Sequence, residues 1–259
     1  MLRSASPMLR KLVPILALTG LLAAGCGADY ERAGAQSDAR AVLAETADAT
    51  RQVRSAALDL RVEGRDSAHV TGAFVVEEEG RLPKFTVTAK HRSETASAVW
   101  TGEKGYVTLD GTAYEVSGLL TGQIEAGYEE ANKRQALAPD VSRWLANPRN
   151  EGLADVGGEE TVKISGAANE KQVLADIERL QSQFKSFDLS PDKREEASKE
   201  IGALKVTVFT GATDRVLRRL VVDGPELHVD LTLTRVDSDQ DIEAPENARP
   251  FSELLKRTR

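Results

Sequence analysis

From Ala57 to Val116 apolar residues recur at every second position over short stretches, and this period constrains the fold more than any other feature of the chain. Leu58, Leu60 and Val62 alternate with Asp59, Arg61 and Glu63, the pattern of a strand with one face in water. Further strands are expected over 71–77, 84–91, 96–101, 104–109 and 112–116. The breaks between them include Glu79-Gly80, Gly102-Glu103 and Asp110-Gly111. These are turn signals too short for a helical crossover, so antiparallel hairpins are the economical connection and the stretch reads as a meander.

Helical periods flank and interrupt this meander. Val42, Thr46, Ala49 and Val53 make a four-and-three stripe on a helix over 38–53, with Ser37 as its cap. A second helix is expected over 118–137, weakened by Gly122 and Gly127. A short helix carrying Trp144 and Leu145 is expected between Asp140 and Pro148. Strands 153–156 and 161–165 surround the Gly157-Gly158 turn. Val173, Ile177, Leu180, Phe184 and Phe187 then mark an amphipathic helix from Asn169. Ser190-Pro191 opens a charged helix that Gly202 ends. Strands over 204–210, 216–223 and 226–235 and a tail helix over 251–256 close the chain.

Nine or so antiparallel strands with helices before and between them predict an α+β fold: a strongly curved antiparallel sheet, or half-barrel, with helices packed on its concave face. Such an arrangement leaves room for an apolar ligand between sheet and helices. The alternation nominates Leu60, Val62, Phe85, Val87, Val99, Val206, Val208, Leu231 and Leu233 as residues lining that space, with Ile177 and Phe184 from the helix. Trp at Val87 or Val208 is then expected to block ligand uptake without unfolding the sheet. The other reading is a filled core, in which the domain is an interaction or sensor module that presents its surface to an envelope partner.

The N-terminus supplies an address. Arg3, Arg10 and Lys11 precede an apolar run over 12–22, and Ala23-Ala24-Gly25 places small side chains before Cys26, the only cysteine. This is the layout of a secretory signal, and the run is too short to span a bilayer core that needs about twenty helical residues. The lone thiol after the small residues resembles a bacterial lipobox, with Ala23 where Leu is usual. Residues 1–25 are accordingly expected to be a lipoprotein signal peptide, 26–37 a flexible tether and 38–259 the working domain. Acyl chains on Cys26 then hold the protein on the extracytoplasmic side of the bacterial cell membrane.

Composition excludes several functions. The chain carries a net charge of −7, and removing the three leader cations takes it to −10, which repels nucleic acid. With Cys26 acylated, neither a disulfide nor a thiolate metal site is possible. His69, His91 and His228 share no ligand spacing. Asp237, Asp239 and Asp241 imitate the start of a calcium loop, but Ile242 and Ala248 stand where that loop needs glycine and a bidentate glutamate. No nucleophile elbow, phosphate loop or zinc-protease motif is present. No enzyme activity, cofactor or metal is expected.

Several segments together resemble the actinobacterial LppX/LprA/LprF/LprG lipoprotein family. They are VRSAALDLRVEG (53–64), GYVTLDGTAYEV (105–116), GLADVGGEETVKISGAAN (152–169), VTVFTGATDRVLRRLVVD (206–223) and DIEAPENA (241–248), following the lipobox in the family's order. The resemblance implies a half-barrel like that of the periplasmic lipoprotein carriers, a cavity for acyl chains, and a role in binding or moving a lipid or lipoglycan across the envelope. An envelope transporter is then a natural partner. The charged helical insert over 169–202 departs from the family's pattern and bears on the size and mouth of the cavity.

Overall fold

The computed structural model describes residues 38–64, 67–133, 141–176 and 198–257. Helix α1 (Ala39–Gln52) is capped by Asp38, whose Oδ1 accepts the Arg40 N–H at 2.9 Å. The expected cap, Ser37, lies outside the described residues. Val53 leaves the helix in an extended conformation, ψ 124°, and feeds directly into the first strand.

Among the described residues twelve strands follow; eleven overlap the segments assigned from the sequence, and the short β12 is the addition. They are β1 (Ser55–Glu63), β2 (Ala68–Val75), β3 (Lys84–His91), β4 (Glu94–Trp100), β5 (Gly105–Leu109), β6 (Thr112–Glu115), β7 (Leu145–Val156), β8 (Glu159–Ala168), β9 (Lys205–Gly211), β10 (Leu217–Asp223), β11 (His228–Thr234) and β12 (Arg249–Pro250). Helix α2 (Gly118–Lys133) and a 3-10 turn (Val141–Arg143) separate β6 from β7. Residues 170–176 and 198–202 are helical, and helix α3 (Phe251–Arg257) follows β12.

The strands form one sheet in the order β12-β6-β5-β4-β3-β2-β1-β11-β10-β9-β8-β7. Each neighbouring pair is antiparallel except β12 with β6. The hairpins stand on turns legible in the sequence. Asp110-Gly111 has φ 50° and 73°, and Gly157-Gly158 has φ 63° and 87°; two central residues with positive φ give the twist that matches flanking antiparallel strands. The connection the sequence leaves open is the closure of the two halves, where β1 pairs with β11 in the middle of the sheet.

The short helix expected around Trp144 and Leu145 is not formed. Val141–Arg143 makes one 3-10 turn, and from Leu145 the chain is already in β7. Pro148 does not stop a helix there but sits in an edge strand, beside a register shift between Ala146 and Arg149. A proline lacks the N–H that a central strand needs, and an edge tolerates it. Helix α2 runs through both Gly122 and Gly127 despite their low helix propensity.

Helix α1, the helical segments 170–176 and 198–202, and α3 contribute to cores on a single face of the sheet. Val42, Leu43 and Ala49 of α1 and Val53 just beyond it belong to one core with Phe74, Phe85, Val87, Trp100, Ile164, Val206, Val208, Leu220 and Leu233, joined by Leu174 and Ile201. Full burial of each Val or Leu side chain contributes about 1.5–3 kcal/mol, so α1 is a structural part of the sheet's cover. Leu254 of α3 packs with Ala96, Leu109 and Tyr114. The first turn of α2 stands against Gly105, where a Cβ would meet Thr121 Cγ2 at 3.3 Å.

Polar contacts fix α1 onto the β9–β10 hairpin. Glu45 receives Arg215 Nε at 3.0 Å, and Thr50 Oγ1 accepts the Leu217 N–H at 3.0 Å. The single proton of the Thr46 hydroxyl is shared between Thr210 Oγ1 at 2.9 Å and the Val42 carbonyl at 2.7 Å, and the Thr210 hydroxyl donates to the Arg215 carbonyl at 2.7 Å.

Candidate functional site

Cross-strand register decides which side chains share a face, because residues paired across a ladder point the same way. One row of that face runs Val70, Leu60, Leu231, Leu220, Val208 and Ile164. The next runs Ala68, Val62, Val229, Val222 and Val206. Phe85 and Val87 join the same face through Phe74 and Gly72, and Leu233 joins it through Leu58. Eight of the nine strand residues nominated from the sequence are thus brought onto one surface.

Val99 is the exception. Its partners are Thr86 and Tyr106, while the neighbouring Trp100 pairs with Phe85. Val99 therefore lies on the opposite face, and Ala98 and Trp100 take the inner positions. In the segment ETASAVW the period of two is carried by Ala96, Ala98 and Trp100, and Val99 stands alone among Thr95 and Ser97 on the other face. Ile177, Phe184 and Cys26 lie outside the described residues.

The eight are not covered equally. Val208, Val206, Phe85, Val87 and Leu233 are between 0% and 5% exposed. Leu60, Val62 and Leu231 are only partly buried, as are Val222 and Val229 beside them. The half-covered strip sits where β1, β11 and β10 run together. Val222 and Val229 are not among the residues nominated from the sequence, although Val229 continues the period of two that includes Leu231 and Leu233. Val208 is fully buried, so a Trp there is expected to overpack the core as well as to fill space a ligand would use. On the same face the buried Trp100 Nε1 has no hydrogen-bond partner among the described residues.

The opposite face is ionic. Arg219 holds Asp230 with two hydrogen bonds of 2.9 and 2.6 Å and lies 5.7 Å over the Phe209 ring; that carboxylate raises the Arg219 pKa above its ordinary value. His69 Nε2 is 3.1 Å from Asp59. Burial alone pushes the Asp59 carboxyl up, but its hydrogen bonds with His69 and Arg61 outweigh that and hold it below its usual value. Burial also raises the Tyr128 phenol, keeping it neutral.

Asp237, from the calcium-like stretch, turns its Oδ1 to the Arg54 N–H at 2.7 Å and so caps the start of β1. Among the described residues no three His, Cys, Asp or Glu side chains converge as metal ligands.

A separate polar pocket of ≈ 490 Å³ opens between the first turn of α1, the 3-10 turn, the start of β7 and residues 169–172. Arg40, Ser142, Arg143, Leu145, Ala146, Asn147, Asn169 and Gln172 line it. Beneath it Trp144 Nε1 donates to the buried Asp176 at 2.7 Å.

No protein-family model and no curated protein sequence matches the chain. Solved structures do. The crystal structure of LprF from Mycobacterium bovis superimposes with a TM-score of 0.55 at 19% identity, covering 80% of this chain and 96% of LprF. The Mycobacterium tuberculosis lipoprotein LppX gives a TM-score of 0.50 at 16% identity, covering 80% of this chain and 100% of LppX. This chain shares the fold of LprF and LppX.

Proposed function

We propose that this chain is an extracytoplasmic lipoprotein, anchored to the cell membrane through acylated Cys26, whose domain over 38–259 binds a lipid or lipoglycan and hands it on within the envelope. The observation that carries this reading is the half-covered apolar strip of Leu60, Val62, Leu231, Val222 and Val229, beside the buried Val206, Val208, Phe85, Val87 and Leu233 of the same face. Apolar side chains in the middle of a sheet gain from full burial, and an acyl chain completes that burial.

The fold shared with LprF and LppX supports the same reading. So does backbone crowding at two strand glycines. A Cβ on Gly72 would lie 2.4 Å from the Thr86 carbonyl oxygen, and one on Gly166 2.8 Å from that of Ala146. Glycines of this kind mark close backbone approach and bends, in keeping with a sheet that curves round its helices.

The test is native mass spectrometry of the full-length protein, purified in detergent from a lipid-containing host and followed by organic extraction. A co-purifying lipid of defined mass is expected, and Leu231→Trp is expected to reduce its occupancy. A protein that stays apo after incubation with mixed lipids overturns the proposal and favours a filled core that meets a protein partner.

A further inference from the structure

The pocket beside the first turn of α1 is chemically unlike the apolar strip. Two guanidinium groups, three carboxamides and a hydroxyl line it, over Leu145 and Ala146, and no carboxylate is among its lining residues. Among the described residues neither guanidinium is held in an ion pair or hydrogen bond. Both arginines are exposed, so their N–H groups are open to a ligand from solvent. The neighbouring carboxylates do not reach the guanidinium groups: Asp38 accepts the Arg40 backbone N–H, and the buried Asp176 receives Trp144 Nε1 and, at 3.5 Å, one N–H of the lining Gln172 carboxamide.

We propose that this pocket binds a phosphate-bearing anion. A guanidinium offers a planar fork of N–H donors that matches phosphate oxygens two at a time, and Arg40 and Arg143 present two such forks to one concavity. Asn147, Asn169 and Gln172 add carboxamide N–H donors that need no counter-charge. The volume lies within the roughly 300–1,000 Å³ of small-molecule sites, so the pocket admits a phosphate together with the group it esterifies.

Two sources share this chemistry, a lipid headgroup and a free phosphorylated solute. The headgroup rests on the lipid-binding reading, with Arg40 only fourteen residues beyond Cys26, a tether that spans at most about 50 Å. The phosphate site itself does not depend on it.

Binding of inorganic phosphate, dioleoyl phosphatidic acid and dioleoylglycerol to the full-length protein in detergent tests both. The wild type is compared with Arg40→Gln, Arg143→Gln and the double variant, each first shown by circular dichroism and urea midpoint to be folded. The wild type is expected to bind phosphate and to prefer phosphatidic acid over dioleoylglycerol. Each Gln variant is expected to lose about tenfold in affinity for the anion, the order of one charged hydrogen bond, while leaving dioleoylglycerol binding unchanged. Phosphate binding with no affinity for either lipid supports the pocket, assigns it a soluble ligand and counts against the lipid reading. Equal affinity for the two lipids together with no phosphate binding overturns the pocket and leaves the lipid reading standing. A phosphate affinity or lipid preference that survives in the double variant also overturns it.

Discussion

Removing the Thr46–Thr210 hydroxyl contact isolates the polar docking of α1 onto the sheet. Both side chains are 0% exposed, so no solvent replaces a lost partner. Thr210→Val keeps the volume but deletes two hydrogen bonds, of 2.9 and 2.7 Å. At about 1 kcal/mol net for each, with a further desolvation cost where a buried group loses its partner, the expected loss is about 2 kcal/mol. Thr46→Val deletes the shared bond together with the alternative donation of the same proton to the Val42 carbonyl, and costs about 1 kcal/mol because one proton makes one bond at a time. Because that bond is counted in both single variants, the double variant should lose about 1 kcal/mol less than their sum. Urea unfolding gives the cycle from the midpoints, provided the slopes do not change. In thermal unfolding each kcal/mol corresponds to about 2–4 °C for a domain of this size. Additive losses, within about 0.3 kcal/mol, refute the coupling and leave α1 held by its apolar stripe, the Glu45–Arg215 pair and the Thr50–Leu217 bond.

Three further outcomes are expected. Gly127 is exposed and helical, and a Cβ added there would have nothing within 4 Å; Gly127→Ala should raise stability by about 0.5–1 kcal/mol, and a loss in denaturant unfolding would falsify the view that this glycine has no packing role. Asp59 has its folded carboxyl below the ordinary 3.8 through His69 and Arg61, so its contribution is full above that pH and fades as pH falls through the folded value. Asp59→Asn should therefore lower the urea midpoint at pH 6 and approach wild type near pH 2, whereas an equal deficit at both pH values contradicts the linkage. Val208→Trp should cost about 1–3 kcal/mol through overpacking of a fully buried site. Leu231→Trp, in the half-covered strip, should cost clearly less, and equal midpoints for the two variants would mean that the strip is no roomier than the core.

Strand positions were legible because they depend on local chemistry. Lys84–His91 is read with its bounds as found, and β1, β5 and β6 are placed within a few residues, since each pairs a period of two with a turn such as Asp110-Gly111. The strip was partly legible for the same reason: Leu60, Val62 and Leu231 follow from alternation. Val99 was misplaced because it was chosen for its own apolar side chain, whereas Ala96, Ala98 and Trp100 carry the strand's period and pair with Ala89, Val87 and Phe85. The polar pocket left no trace in the sequence. Its arginines stand more than a hundred residues apart, on elements that meet only in the folded chain.

The sequence by itself determined the alternation, the hairpin turns, the apolar stripe of α1 and the composition that sets nucleic-acid binding aside, because these depend on residues within a few positions of one another or on simple counts. Only the tertiary structure decided that β1 closes against β11, that β12 adds parallel to β6, that Pro148 lies in an edge strand, and that Val208 is sealed while Leu231 is half open. Exposure and strand order are properties of what packs on a residue from elsewhere in the chain, and a local period carries no information about that neighbour.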